Sequence, residues 1–152
     1  MKERFKTKAA AMVFLLRKEN GKQQVLLQLR QNTGYADGMW DCSSSGHLEE
    51  NESITTAAQR ETQEEINISL TKEELIFICV DHKKTLTENG SYFNFYFIAE
   101  NTKATPKICE PTKCKDLQWF DIEKLPDNMI ADRKIALNNF FQKKYFNELN
   151  WE

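Results

Sequence analysis

Three glutamates on one side of a short predicted helix limit the folds open to this chain more than any other feature. Glu61, Glu64 and Glu65 stand at i, i+3 and i+4. Because a helix turns about 100° per residue, the three side chains project within an arc of roughly 100°. Ser53 is a favoured N-cap, and Asn67 suits the left-handed residue that ends a helix. The sequence therefore predicts a helix between these two residues with one carboxylate face.

The helical wheel places two of the acids beside the apolar stripe. Glu61 and Glu65 fall within about 40° of Ile54 and Ala58, so they face inward or into a cleft. A charge run is usually a solvated helix face, but here it borders the predicted core. Like charges at this spacing repel, no lysine is interleaved, and Arg60 points about 100° away on the wheel. Clustered carboxylates of this kind suit Mg²⁺, or Mn²⁺ in its place.

Apolar segments on both sides of this helix predict strands. Asn20-Gly21 is a hairpin-turn signal between the first two strands, and Glu88-Asn89-Gly90-Ser91 is a second one between the third and fourth. A closing helix is predicted for residues 129–149, with buried positions up to Phe146. The predicted strands cover residues 9–16, 24–29, 75–81, 92–99 and 113–120.

The order of these elements favours an α/β fold. Strands and helices alternate, and hairpins join neighbouring strands, which indicates a mixed β-sheet with helices on its faces. The sequence thus predicts an α/β/α sandwich. With 152 residues, we expect one domain that spans residues 1–152.

Charge and composition limit the classes of binding partner that we expect. The net charge of −2 includes no large basic block, so a nucleic-acid partner is not expected. No apolar run approaches the roughly 18 residues of a membrane span, and the N-terminus reads as a first strand rather than a signal peptide. The four cysteines lack the spacing of a zinc site, so we expect free thiols and a cytoplasmic location. We also expect a monomer or homodimer.

Residues 46 to 68 resemble the Nudix box of the MutT-like hydrolases. That motif reads glycine, five residues, Glu, seven residues, Arg-Glu, an apolar residue, any residue, Glu-Glu, any residue, glycine and an apolar residue. Two positions depart from it, because Thr62 replaces an apolar residue and Asn67 replaces glycine. The resemblance implies a Nudix-type sandwich over nearly the whole chain. The matching residues are Gly46, Glu52, Arg60, Glu61, Glu64, Glu65 and Ile68.

The resemblance also implies roles for the box residues. Glu61, Glu64 and Glu65 would hold Mg²⁺ together with the backbone carbonyl of Ser45, where many family members carry glycine. Glu61 would accept a proton from the attacking water, although Glu64 can exchange roles with it. Gly46 belongs to the loop that a salt bridge ties to the helix. The partners of that bridge are Glu52 and Arg60.

Three residues outside the box are candidates for substrate binding. Arg30 matches a phosphate-contacting arginine of some relatives, although an exposed side chain at a strand end is an alternative. Asn128 matches a base-reading asparagine, although it would also suit a helix cap. Trp40 is able to stack on a base, although aromatic residues at strand spacing are more often core.

The resemblance implies hydrolysis of a nucleoside diphosphate linked to another moiety. The proline and tyrosine marks of ADP-ribose and dinucleoside polyphosphate hydrolases are missing near residues 83–86. The leading substrate is therefore a nucleoside triphosphate, converted to monophosphate and pyrophosphate. The alternatives are a nucleotide sugar as substrate, or a Nudix-fold module that senses a nucleotide without cleaving it.

Overall fold

A computed structural model describes residues 2–86, 90–100 and 104–152. Within these residues the chain forms eight strands and two α-helices. The helices are α1 (Ile54–Ile66) and α2 (Ala131–Gln142). The strands are β1 (Lys8–Glu19), β2 (Lys22–Arg30), β3 (Trp40–Asp41), β4 (Ser44–His47), β5 (Ile76–Lys84), β6 (Ser91–Glu100), β7 (Cys114–Asp121) and β8 (Phe146–Leu149).

Strand β1 is the central strand of one mixed sheet. It runs parallel to β6 along one side and antiparallel to β4 and then β2 along the other. The strand order is β3-β2-β1-β6-β5-β8, and β7 pairs with β2. Asn20 and Gly21 have φ values of 51° and 77°, which confirms the first hairpin turn. Strands β5 and β6 are antiparallel, while Glu88 and Asn89 of the second predicted turn lie outside the described residues.

Both faces of the sheet are covered, so the predicted sandwich is confirmed. Alternate side chains of a strand point to opposite faces. The even-numbered residues of β1, such as Phe14, share a core cluster with Leu137 of α2. Its odd-numbered residues, such as Val13, share another cluster with Ala57 and Ala58 of α1. The two helices therefore pack on opposite faces of the sheet.

The caps of α1 agree with the sequence prediction. The hydroxyl of Ser53 accepts a hydrogen bond from the Thr56 backbone at 3.2 Å. Asn67 adopts a left-handed conformation with φ 57° and ψ 40°. Thr62, which departs from the box pattern, is fully buried and bonded to Ser44 through their hydroxyls at 2.7 Å. A polar pair thus replaces the usual apolar contact without leaving a hydroxyl unpaired.

The C-terminal helix is shorter than predicted, and the prediction for residues 143–149 was wrong. Helix α2 ends at Gln142, and the next residue, Lys143, caps it with a left-handed φ of 54°. The chain then forms β8, which runs parallel to β5 at the edge of the sheet. Phe141 and Phe146, predicted to be buried, are 47% and 50% exposed. Backbone pairing with β5 outweighs the helical spacing of these aromatic residues.

Two further observations concern the cysteines and the helices. All four cysteines are free, as predicted. Within residues 2–86, 90–100 and 104–152, the helices are too short or too polar to cross a membrane.

Candidate active site

A cavity of about 970 Å³ opens beside α1 and β4. Glu61, Glu64 and Glu65 of α1 line it, so the predicted carboxylate face does border a cleft. Other elements bring cations to the same cavity. These are Arg30 at the end of β2, Lys83 of β5, Lys113 before β7 and Arg133 of α2. The cavity therefore combines an acidic wall with basic side chains from four other places in the chain.

Glu61 lies against the glycine of the preceding strand. A Cβ atom at Gly46 would overlap the carboxyl group of Glu61. The φ of Gly46 is not in the left-handed region, so this position needs glycine for space and not for backbone conformation. Burial raises the pKa of Glu61, and the charge of Glu64 raises it further against the lowering effect of Arg60. Glu61 is thus a half-buried carboxylate with raised proton affinity.

Glu65 is the most enclosed of the three acids. It accepts a hydrogen bond from the Gln28 side chain at 2.8 Å and lies 3.3 Å from the Ser45 backbone nitrogen, which donates to it. Burial raises its pKa well above the usual value, and the charge of Glu61 adds to this effect. The charge of Glu61 therefore disfavours the charged form of Glu65, whereas a side-chain hydrogen bond from Glu65 lowers the pKa of Glu61.

The Arg60 side chain points in a different direction from the one predicted from the sequence. The wheel directs it about 100° away from Glu61, but its guanidinium group returns to the acids. Nη1 lies 2.6 Å from Glu61 and 3.3 Å from Glu64. Nε and Nη2 hold Glu52 at 2.7 and 3.0 Å. The long side chain makes this return feasible, because the wheel fixes only the direction of Cβ.

Arg30 belongs to a second charged cluster. Its Nη1 donates to Asp41 at 2.8 Å, and Arg133 Nε donates to the other oxygen of the same carboxylate at 2.7 Å. Asp41 is fully buried. Burial by itself would raise the pKa of Asp41, but Arg133, and then Arg30, hold it below its usual value. One carboxylate thus positions two cavity-lining arginines.

Comparison with known proteins identifies the family. The NUDIX domain model matches residues 6–140. The chain belongs to the NUDIX family. It is 37% identical over 76 residues to Nudix hydrolase 3 of Arabidopsis thaliana, an alignment that covers 49% of this chain and 10% of that protein. The chain therefore spans about a tenth of that relative.

Solved Nudix structures share the fold. The MutT NUDIX hydrolase of Burkholderia pseudomallei has a TM-score of 0.75 at 21% identity, over 89% of this chain and 98% of that one. The NUDIX domain of Shewanella oneidensis NrtR, solved with ADP ribose, has a TM-score of 0.73 at 15% identity. That match covers 92% of this chain and 90% of the other.

The Nudix-box acids have the chemistry of a site for a hard divalent cation. Their carboxylate oxygens are currently engaged by Arg60 and Gln28. As the side chains stand, no three Asp, Glu, His or Cys residues in the described part of the chain converge closely enough to hold a metal. The raised pKa values of Glu61 and Glu65 record a burial and repulsion that a cation would relieve. The donor set therefore fits Mg²⁺ or Mn²⁺ after side-chain rotation.

Two of the three substrate-binding candidates do not present their side chains to the Nudix cavity. Trp40 is 8% exposed and packs edge-on against Phe120 in the core, as the alternative for this residue predicted. Its side chain is therefore unavailable for base stacking. Asn128 donates to the Gly38 carbonyl at 3.0 Å, and it is not the N-cap of α2, which is Ile130. Arg30 does line the cavity.

Sequence reasoning missed Gln28, Asp41 and Arg133. Gln28 is an isolated polar residue in an apolar strand, and Asp41 follows a buried tryptophan. Arg133 lies between Asp132 and Lys134 in the sequence, but its neighbours on the helix face, Ala136 and Leu137, are apolar. A buried polar residue needs a partner, so each of these interruptions was a signal. The sequence does not say which residues pair, because Asp41 and Arg133 are 92 positions apart.

Proposed function

We propose that this chain is a divalent-cation-dependent hydrolase of a phosphoanhydride bond in a nucleotide. The leading substrate is a nucleoside triphosphate, cleaved to a nucleoside monophosphate and pyrophosphate. The observation that carries the proposal is the cavity itself, where three helix carboxylates face the same space as Arg30, Lys83 and Lys113. Carboxylates that bind Mg²⁺ and cations that bind phosphate are the two parts such a reaction needs.

The three helix acids and the Glu52–Arg60 pair of the Nudix box have separate roles in this proposal. Glu61, Glu64 and Glu65, with the carbonyl of Ser45, would hold the ion. When bound, Mg²⁺ offsets charge on the phosphate oxygens and lowers the pKa of a bound water. Glu52 keeps Arg60 beside the helix, at 2.7 Å from Nε. Glu52 and Arg60 therefore orient the acids without touching the reacting atoms.

The proton and bond changes balance within the cavity. The oxygen of water bonds to phosphorus, and the bridging oxygen leaves with the electron pair of the broken phosphorus–oxygen bond. Glu61 accepts the proton of the water. Its burial and raised pKa favour proton acceptance. Arg30, whose guanidinium is fixed by Asp41 and by the Tyr35 carbonyl at 2.8 Å, would hold a phosphate oxygen.

Replacing Glu61 with glutamine tests the proposal. Glu61→Gln keeps the shape of the side chain and removes its basicity, so we expect kcat to fall at least about a hundredfold. Glu73→Gln is the matched control, since Glu73 is exposed outside the cavity, and its kcat should equal that of the wild type. The measurement is pyrophosphate release from nucleoside triphosphates with Mg²⁺ or Mn²⁺. Unchanged turnover in Glu61→Gln would remove Glu61 from the role of base.

A nucleotide sugar is the second candidate substrate. The NUDIX domain of NrtR was solved with ADP ribose and shares this fold. The same screen should therefore include ADP ribose and other nucleotide sugars, with monophosphate release as the readout. Tight nucleotide binding without product from any compound would instead support a nucleotide-sensing module.

A further inference from the structure

Arg133 occupies a position that helix stability disfavours. It lies in the first turn of α2 and is only 5% exposed. A cation at a helix N-terminus opposes the helix dipole, and a buried charge is costly even when it is paired. A residue that is unfavourable for stability at a cavity wall is a candidate for function.

One nitrogen of the Arg133 guanidinium group, Nη2, is not used in hydrogen bonds to the described residues. Nε donates to Asp41 at 2.7 Å, and Nη1 donates to the Tyr96 hydroxyl at 3.2 Å. Among the described residues, Nη2 donates to none. Among the described side chains, Asn139 Nδ2 is the one nitrogen or oxygen that is fully buried and lacks a hydrogen-bond partner. Arg133 Nη2 also lacks a partner, so it is not fully buried. Since Arg133 lines the cavity, Nη2 is accessible from it.

Asn94 places an acceptor in the same part of the cavity. It is 5% exposed, lines the cavity, and donates from Nδ2 to the Asp81 carboxylate at 2.8 Å. That bond fixes the orientation of the carboxamide, so the oxygen Oδ1 is an acceptor with no partner among the described side chains. Asn94 is two residues from Tyr96, the neighbour of Arg133, on strand β6. Arg133 and Asn94 thus line the same cavity, the first with an unused donor and the second with an unused acceptor.

The charges in this region nearly balance. Arg30 and Arg133 share Asp41, and Asp81 contributes a second buried carboxyl group close to Arg133. Burial raises the pKa of Asp81, while Asn94 and Arg133 lower it. Lys83 of the same cavity is paired with Asp132, so three cations face three carboxyl groups and leave little surplus charge to attract another anion. A neutral ligand group with an acceptor and a donor fits better.

Asp41 links Arg133 to the wall of the cavity that holds the acids. Gln28 contacts Glu65, and Arg30 is two residues farther along the strand, or roughly 6 to 7 Å. Arg30 contacts Asp41, and Asp41 contacts Arg133. Asp41 is also the ladder partner of Gln28, so Arg30 and Arg133 both contact a carboxylate beside the residue that binds Glu65.

We propose that Arg133 and Asn94 read the lactam edge of a nucleobase. Arg133 Nη2 donates to the base carbonyl, and Asn94 Oδ1 accepts from the adjacent ring N–H. Hypoxanthine and guanine carry that pair of groups. Adenine carries an amino group and an unprotonated ring nitrogen in the same places, so it presents the reverse pattern. This inference rests on the proposed function, because it assumes a nucleotide in the cavity.

Matched nucleotides test the inference in the wild-type protein. We expect kcat/KM for ITP to exceed that for ATP by at least about tenfold, because a mismatch leaves buried polar groups unpaired. IMP should bind more tightly than AMP by a similar factor in calorimetry, which does not require hydrolysis. Equal affinity for IMP and AMP overturns the inference. If IMP is preferred but no triphosphate is cleaved, the proposed function fails and the base reading stands.

Variants separate recognition from structure. Arg133→Met keeps most of the side-chain volume, and it should reduce the ITP-to-ATP ratio to within about twofold, chiefly through KM. Lys134→Met is the control, since Lys134 is the next residue on α2 and does not line the cavity, and its ratio should match the wild type. If Arg133→Met does not fold, Asn94→Leu tests the acceptor in the same way. A folded variant of either residue that keeps the wild-type ratio overturns the proposal.

Discussion

At the residue scale, the site depends on the absence of a side chain at Gly46. The Glu61 carboxyl group occupies the space where a Cβ of residue 46 would lie. Glu61 also receives the Arg60 guanidinium at 2.6 Å. The position of the proposed base, Glu61, therefore depends on the absence of a Cβ atom at Gly46 and on the contact with Arg60.

Gly46→Ala should slow hydrolysis without unfolding the protein. The new methyl group displaces the flexible Glu61 side chain and not the backbone, so the free energy of unfolding should fall by about 1 to 2 kcal/mol at most. Hydrolysis should fall at least about tenfold, because a displaced base loses its geometry. Steady-state kinetics and urea denaturation measure the two effects. Gly90→Ala is the matched control, because a Cβ atom at Gly90 would lie an ordinary 3.7 Å from Thr85 Oγ1 and Gly90 does not line the cavity.

Single residues also show the limit of prediction from sequence. The positions of Glu61, Glu64 and Glu65 followed from helical periodicity, which is a local property. The return of Arg60 to these acids did not follow, because a long side chain has many rotamers. The pairing of Asp41 with Arg133 was also out of reach, since it joins residues 92 positions apart.

At the scale of elements, the left-handed backbone conformation of Asn67 ends helix α1. Asn67 has φ 57°, and its backbone N–H donates to the Gln63 carbonyl at 3.1 Å. Most residues are strained in this conformation, whereas glycine is not and asparagine tolerates it. The departure from the Nudix-box glycine is thus accommodated.

Asn67→Ala should destabilise the protein by about 1 kcal/mol, because alanine lacks the tolerance of asparagine for positive φ. Asn67→Gly should change the free energy of unfolding by less than about 0.5 kcal/mol. Both variants lose the side-chain bond that Gln63 donates at 2.9 Å, so their difference isolates the backbone effect. Urea denaturation at equal m-values is the measurement. Equal stability of the two variants would contradict this account of the cap.

Elements differed in how well the sequence predicted them. Helix α1 carries both a cap residue and a left-handed end residue, and its bounds agreed with prediction. The C-terminal segment carries aromatic residues that fit a helix and a strand equally. Its state was decided by the free edge of β5, which offers β8 a backbone partner. Such an edge exists only after the rest of the sheet has formed.

At the scale of the whole molecule, the proposed ion should stabilise the fold. Three acids crowd one side of α1, and those at positions 61 and 65 have raised pKa values. A cation that binds only the folded chain adds roughly 2.7 kcal/mol at a hundredfold excess over its Kd. We therefore expect Mg²⁺ or Mn²⁺ to raise Tm by several degrees, and EDTA to reverse the effect.

Thermal unfolding with and without the ion tests this expectation. Glu65→Gln should lose most of the Tm increase, because it removes one carboxylate ligand. Glu73→Gln, which leaves the cavity intact, should keep it. A wild-type Tm that neither ion changes would count against a metal site at these acids.

The parallel pairing of β1 with β6 has a consequence for synthesis of the chain. Each pair in this ladder, from Lys8 with Tyr92 to Leu16 with Glu100, joins residues 84 positions apart. A ribosome that adds about 5 to 20 residues per second needs roughly 4 to 17 seconds to make that interval. During this time the edge of β1 that pairs with β6 has no partner strand, and its apolar side chains are not yet fully covered. We therefore expect the nascent hairpin of β1 and β2 to be a binding site for chaperones, and slower translation to increase aggregation.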